Sequence, residues 1–295
     1  MNRLRLSATA ALLVLPWLIL LQVNSPVCAY AAVEPTQQAV SAFDSYVSSV
    51  QSRLAAQRRS SKGFTVLPGK SSDALSRLQK GEVILEGLTP SEKSDPPGAM
   101  LHHWRATAFV PGAKAEELER LLRNFAGYPQ TFAPQVLRAS VMAENGDYVE
   151  ARMRVRQKHI LTVVMDGTYD VTFGRLDERH GYSNSLSTQI TEIGSPGTAS
   201  ERELSPAEAR GFLWRLNTYW TYEEADGGLF VQVESVSLTR SIPRGLGWVI
   251  GTFVQSIPRE SLEFTLRSVG NALRGTSGVK AGAAGLATAR PAGVE

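Results

Sequence analysis

Two long runs of strict alternation constrain this chain more than any other feature. In residues 148–158, Val149, Ala151, Met153 and Val155 share one parity, and Glu150, Arg152, Arg154, Arg156 and Lys158 share the other. Successive side chains of a strand point to opposite faces, so this run predicts a strand with one apolar and one solvated side. Residues 161–173 repeat the pattern. Leu161, Val163, Met165, Tyr169, Val171 and Phe173 oppose Thr162, Asp166, Thr168, Asp170 and Thr172. Neighbouring strands of this kind belong to an antiparallel sheet, and its apolar face must be covered by another layer.

The flanking sequence supplies the other elements. Val40, Phe43, Val47, Val50 and Leu54 recur at spacings of 3 and 4, which predicts a helix over 37–59, with Arg53, Arg58 and Arg59 suited to its C-terminal dipole. A short helix near 73–79 and a strand-like run at 82–88 follow, and Pro90, Pro96, Pro97 and Gly98 mark a linker. Beyond it lie a strand at 101–110, a helix at 115–125 and a strand at 136–143 that turns at Asn145-Gly146. Weaker alternation predicts strands at 182–193, 212–223 and 229–240, with a turn-rich insertion at 194–210. In 212–223, Phe212, Trp214, Leu216, Trp220 and Tyr222 alternate with Leu213, Arg215, Asn217, Tyr219 and Thr221. The last element is a helix from Pro258, with Leu262, Leu266, Val269 and Leu273 as its stripe and Gly275 as its stop. Residues 276–295 are Gly/Ala-rich and read as a disordered tail.

The N-terminus reads as a secretory signal over 1–31. Arg3 and Arg5 precede an apolar run from Ala10 to Leu21, and Ala29-Tyr30-Ala31 offers a cleavage site before Ala32. The run is short for a span of roughly 20 residues. Two alternatives stay open: retention as an anchor, and lipid attachment at Cys28, although Val27 is not the small residue expected before a lipidated cysteine. Export predicts a secreted or periplasmic protein.

Composition narrows the classes further. The chain has 295 residues, 43% hydrophobic and 20% charged, enough for one sizeable core and unlike a disordered or multi-span membrane chain. Of 31 Lys and Arg, cleavage would remove Arg3 and Arg5, leaving 29 against 28 acidic residues. That balance is no nucleic-acid footprint. With Cys28 alone, an intrachain disulfide and a Cys-based zinc site are excluded.

No motif carries catalysis. The stretch Gly63 to Ser71 has five residues between Gly63 and Gly69-Lys70 and no preceding strand, so it fails as a phosphate loop. His102, His103, His159 and His180 lack metal-ligand spacing, and there is no G-x-S-x-G elbow. His102 and His103 are adjacent on a strand, which predicts one surface and one core histidine. Arg152, Arg154, Arg156 and Lys158 read as a solvated strand face with Asp166 and Asp170 as cross-strand partners, in preference to a lipid-headgroup site. Glu223 and Glu234 are expected to be solvent-exposed. Residues 241–258 repeat Ser-Ile-Pro-Arg around a glycine-rich apolar segment with Trp248 and Phe253, read either as a packed connection or as a lip at a cavity mouth.

After the first helix of the sheet domain the chain reads Asn124-Phe125-Ala126-Gly127-Tyr128-Pro129, then Phe132, Pro134 and Val136. With the element order, this stretch resembles the START-like (SRPBCC, helix-grip) superfamily, closest to polyketide cyclase/dehydrase-like and coenzyme-Q-binding START-domain proteins. The resemblance covers about residues 99–275. It implies an α+β helix-grip fold, a curved antiparallel sheet wrapped around the long C-terminal helix. Residues 32–98 form an N-terminal helical extension and linker outside it. It also implies an apolar cavity and brings no catalytic residues.

The expected function is binding or transfer of a lipid, quinone or sterol-like molecule, with no cofactor, no metal and no nucleic acid, and with transient membrane-surface contact. The expected ligand wall is Met153, Leu161, Val163, Met165, Tyr169, Trp214, Trp220, Trp248, Phe253, Leu262 and Leu266. The alternative is a polyketide cyclase/aromatase-type enzyme in the same cavity, which would need inward polar groups such as Glu234, Arg215 or Tyr219.

Overall fold

The computed structural model describes residues 34–60, 64–65, 72–89, 95–96, 98–158, 162–209, 213–241 and 256–275. The signal segment, the tail, Leu161, Trp248 and Phe253 lie outside these residues.

Helix α1 (Gln37–Arg58) is capped by Thr36, whose hydroxyl accepts from the Ala39 amide at 3.1 Å. A short helix α2 (Ser72–Gln79) leads into β1 (Ile84–Gly87) and then β2 (Ala99–Pro111). Helices α3 (Ala115–Arg123) and α4 (Tyr128–Thr131) follow. The strands then run β3 (Val136–Asn145), β4 (Tyr148–Lys158), β5 (Thr162–Arg175), β6 (His180–Gly194), β7 (Arg202–Glu203), β8 (Leu213–Ala225) and β9 (Gly228–Arg240). The last helix, α5, covers residues 256–275.

The strands form one antiparallel sheet in the order β1-β2-β9-β8-β6-β5-β4-β3, with the short β7 on β6. This is the α+β helix-grip architecture expected from the sequence. The β1 strand pairs with β2 from Ile84 opposite Thr107 to Gly87 opposite Trp104. The N-terminal extension therefore contributes the first strand of the sheet.

Register sorts every side chain onto one of two faces. The inner face carries Ala106, Ala108 and Val110 of β2, Leu229, Val231 and Val233 of β9, and Trp220 and Tyr222 of β8. It continues through Tyr169, Val171 and Phe173 of β5 to Val149 and Ala151 of β4. Leu118 and Leu122 of α3 and Leu262, Leu266, Val269 and Leu273 of α5 close over it. On the outer face, Phe43, Val47, Val50 and Leu54 of α1 pack on Leu101, Tyr219, Val236 and Leu238. Ala74 and Leu78 of α2 pack there on Phe109 and Phe230. With both faces covered, β9 is buried along its whole length.

The Asn124–Val136 stretch forms the corner between α3 and β3. The Asn124 side chain accepts from the Gly127 amide at 3.2 Å, and the Tyr128 hydroxyl donates to the Leu122 carbonyl at 2.6 Å. The rings of Phe125, Tyr128 and Phe132 pack in series, tilted in the first pair and edge-to-face in the second, with centroids 4.9 and 5.0 Å apart.

Two expectations need correction. The register of β8 slips between Leu213 and Arg215, so Trp214 leaves the parity of Trp220 and packs against the α1 cluster on the outer face. His102 and His103 do take opposite faces, yet both are buried, at 5% and 2% exposure, because both faces are covered there.

Candidate functional site

The candidate site is the inner face beneath α5. Eight strands at about 4.8 Å spacing make a face roughly 35 Å across, whereas one helix is only about 10–12 Å wide. Space accordingly flanks α5 on two sides. A groove of about 400 Å³ lies between it and the α4 corner, with a mostly polar lining of Gln130, Thr131, Arg267, Ser268 and Asn271 beside Ala133, Phe264 and Ala272. A smaller cavity of about 110 Å³ separates Leu266 and Gly270 from Val83, Ala108 and Val110.

The wall residues expected from the sequence are brought together in part. Met165, Tyr169, Trp220, Leu262 and Leu266 are buried, and Met153 and Val163 are half-buried. Met153 stands opposite Gly167, and Val155 opposite Met165, so both methionines occupy the β4–β5 part of the inner face. Thioether side chains suit an irregular apolar ligand. Gly167 has a steric reason: a Cβ there would come within 2.6 Å of the Tyr169 ring. The ring therefore lies across the strand as a floor, and burial raises the Tyr169 phenol to about 12, so it stays protonated. Trp214 faces the other way.

The inner face has a second, polar end that the ligand-wall assignment missed. Ser235, Ser237 and Thr239 continue the inward parity of Leu229, Val231 and Val233 along β9. Ser237 stands opposite His102, and Ser235 opposite Trp104 on one side and Thr218 on the other. Thr218 in turn stands opposite Ser185. The His102 Nε2 and Thr239 Oγ1 atoms are 2.9 Å apart. Burial lowers the His102 pKa, which keeps the imidazole neutral near pH 7. The alternation in 229–240 was the available signal.

The strongest charges lie on the opposite face, beneath α1. Glu234 is 1% exposed, against the expected exposure. Its Oε2 lies 2.8 Å from His103 Nε2 and 2.5 Å from Arg53 Nη2, and the other His103 nitrogen meets the Tyr46 hydroxyl at 2.8 Å. Burial pushes the Glu234 carboxyl up, but the hydrogen bonds from His103 and Arg53 outweigh it and hold the pKa at about 2. Tyr219 shares this outer face, and Arg215 stands opposite Leu238 on it. Glu234, Tyr219 and Arg215, the three polar groups named above for a cyclase, therefore lie across the sheet from its inner face.

On the outer side of β4 the basic run is paired. Arg154 binds Asp166 at 2.6 Å and Glu201 at 2.6 Å, while Arg152 reaches Asp166 and Glu203, each at 3.1 Å. Asp170 accepts from the Tyr148 hydroxyl at 2.7 Å instead of pairing with an arginine. Among the described residues, no group of three or more His, Cys, Asp or Glu could hold a metal ion, and no helix is long and apolar enough to cross a membrane.

No family model matches the sequence, and no curated protein matches it. Solved structures do resemble it. Human STARD10 is 10% identical at a TM-score of 0.43, covering 81% of this chain and 82% of its own. The STAR-related lipid transfer protein from Xanthomonas axonopodis is 16% identical at 0.40, covering 64% and 98%. The Zhui aromatase/cyclase from a Streptomyces species is 16% identical at 0.39, covering 59% and 95%.

Proposed function

We propose that this is an exported protein that binds or transfers a hydrophobic small molecule, lipid, quinone or sterol-like, between the inner face of the sheet and α5. The observation that carries the reading is the apolar inner wall, wider than the single helix laid over it. Export rests on the signal-like residues 1–31, and transient contact with a membrane surface would accompany loading and release. A cyclase in the same cavity finds less support, since Glu234, Tyr219 and Arg215 lie on the outer face.

The test is gentle purification, native mass spectrometry and organic extraction. A bound apolar molecule, lost on extraction and regained on incubation with lipid, is expected. A protein that stays empty and takes up nothing overturns the reading. Met165, 3% exposed on the inner wall, gives a sharper check. Met165→Arg places an unpaired charge there and is expected to abolish ligand retention or folding. A folded Met165→Arg protein that keeps its ligand would show that the cavity is not on this face. N-terminal sequencing of the exported protein is expected to begin at Ala32.

A further inference from the structure

The cavity on the β2 flank of α5 joins an apolar wall to a charged rim. Val83, Ala108, Val110 and Leu266 supply the wall, and the exposed Arg267, Asn271 and Arg274 form the rim. Gly270 lines it too, and it accounts for the room. A glycine inside a helix destabilises it relative to alanine, so a packing reason is needed. A Cβ at Gly270 would come within 3.3 and 3.4 Å of the two terminal nitrogens of Arg274. The guanidinium therefore turns those nitrogens over the glycine, beside the space a side chain would take.

This arginine has no counter-charge. Its Nη2 donates to Asn271 Oδ1 at 2.8 Å, and no carboxylate among the described residues pairs with it. The acids nearby are already taken. Glu263 is held by Arg267 at 2.7 Å on the same helix. Across the rim, Lys80 and Glu82 flank Gly81. Glu82 is bound by Arg77 at 2.9 Å, whereas Lys80 has no carboxylate partner among the described residues. An arginine in the last turn of a helix is favoured by the dipole alone, but the dipole asks for no glycine beneath it.

We infer that this cavity takes a short-chain carboxylate, with its chain against Val83, Val110 and Leu266 and its carboxylate on Arg274. Guanidinium presents paired N–H donors that match the two oxygens of a carboxylate. The size of the cavity sets the length of the chain. About 110 Å³ falls short of the roughly 150 Å³ that holds a benzene ring, which leaves room for a chain of about four carbons. The methionines of the wall proposed above stand on β4 and β5, whereas this cavity lies against β2. The inference therefore goes beyond that reading, and either can fail alone.

The test uses the intact chain at pH 8 and low salt, titrated by NMR with pentanoate and with 1-pentanol, which share a chain length and differ in the head. Pentanoate is expected to bind about fivefold more tightly than pentanol, the scale of a solvent-facing ion pair, and the preference should shrink as salt is added. Arg274→Gln is expected to remove the preference and leave pentanol unchanged. Gly270→Ala puts a methyl group against the guanidinium, and it is expected to raise Tm yet weaken pentanoate by about fivefold or more. The inference is overturned if pentanoate does not bind, if pentanol binds as tightly, or if either variant keeps the full affinity for pentanoate. In the Arg274 case the residue would serve the helix dipole alone. Native mass spectrometry reads the larger ligand separately, so a bound apolar molecule without pentanoate binding sinks only this site.

Discussion

Glu234 shows how a single buried side chain ties stability to pH. An ordinary glutamate titrates at 4.5, and this one is held at about 2 by His103 and Arg53 against the cost of burial. A carboxyl whose pKa is lowered on folding stabilises the fold above its unfolded value and loses that contribution as pH falls through the folded one. The gap corresponds to roughly 3 kcal/mol. Denaturant unfolding should thus be insensitive to Glu234 above about pH 5.5 and weaken progressively from 4.5 towards 2. In Glu234→Gln the loss between those values should shrink by roughly that amount. An unchanged acid slope in a folded variant would assign it to other carboxylates, Asp166 first, since its pKa is also lowered, with the hydrogen bond and charge of Arg154 outweighing its burial.

At the scale of elements, α1 is the informative one. Its stripe was legible in the sequence because Phe43, Val47, Val50 and Leu54 repeat at helical spacing, but what the stripe meets was not. The outer face of β2, β8 and β9 is a mixture of Leu101, His103, Glu234, Val236 and Leu238, and no period distinguishes a covered mixed face from a solvated one. Glu234 and one of the two adjacent histidines were consequently placed wrongly in water, and Trp214 was assigned to the wrong face because a one-residue bulge leaves no mark in the alternation. The clean runs at 148–158 and 161–173 were read correctly, since their charged parity does face outward, with Arg154 on Asp166. Burying Phe43, Val47, Val50 and Leu54 at about 1.5–3 kcal/mol each contributes roughly 6–12 kcal/mol, comparable with the whole stability of a domain. A chain cut to residues 99–275 loses α1 and β1 together. It is expected to show no cooperative thermal transition, whereas Phe43→Ala in the intact protein should cost about 3–5 kcal/mol. A cooperative melt of the 99–275 fragment near that of the intact chain would show that α1 is only an appendage.

For the whole molecule, the two covered faces and the open edge predict a graded order of opening. The β9 strand lies between β2 and β8, has α1 and α2 on one side and the α5 core on the other, and is buried at every position. Its amides can exchange with solvent only when the sheet comes apart. The β3 strand is the edge beyond β4, is exposed over most of its length, and has two register irregularities in its pairing. Its hydrogen bonds can open without disturbing the core. Between these extremes stands α5, which buries Leu262, Leu266, Val269 and Leu273 but has a groove on one flank and a cavity on the other. A ligand held between α5 and the sheet has to displace the helix to enter, so α5 should open before β9 does. Native-state hydrogen exchange followed by mass spectrometry should therefore rank protection as β3 below α5 below β9. A bound apolar ligand should raise protection in α5 and in the 162–175 strand by a factor that grows with its concentration, because a ligand stabilises only the state that binds it. Protection in β3 should not change, as that edge lies beyond the wall. Equal exchange of α5 and β9 without ligand would mean that the helix is part of one indivisible core, and entry through its movement would then be excluded.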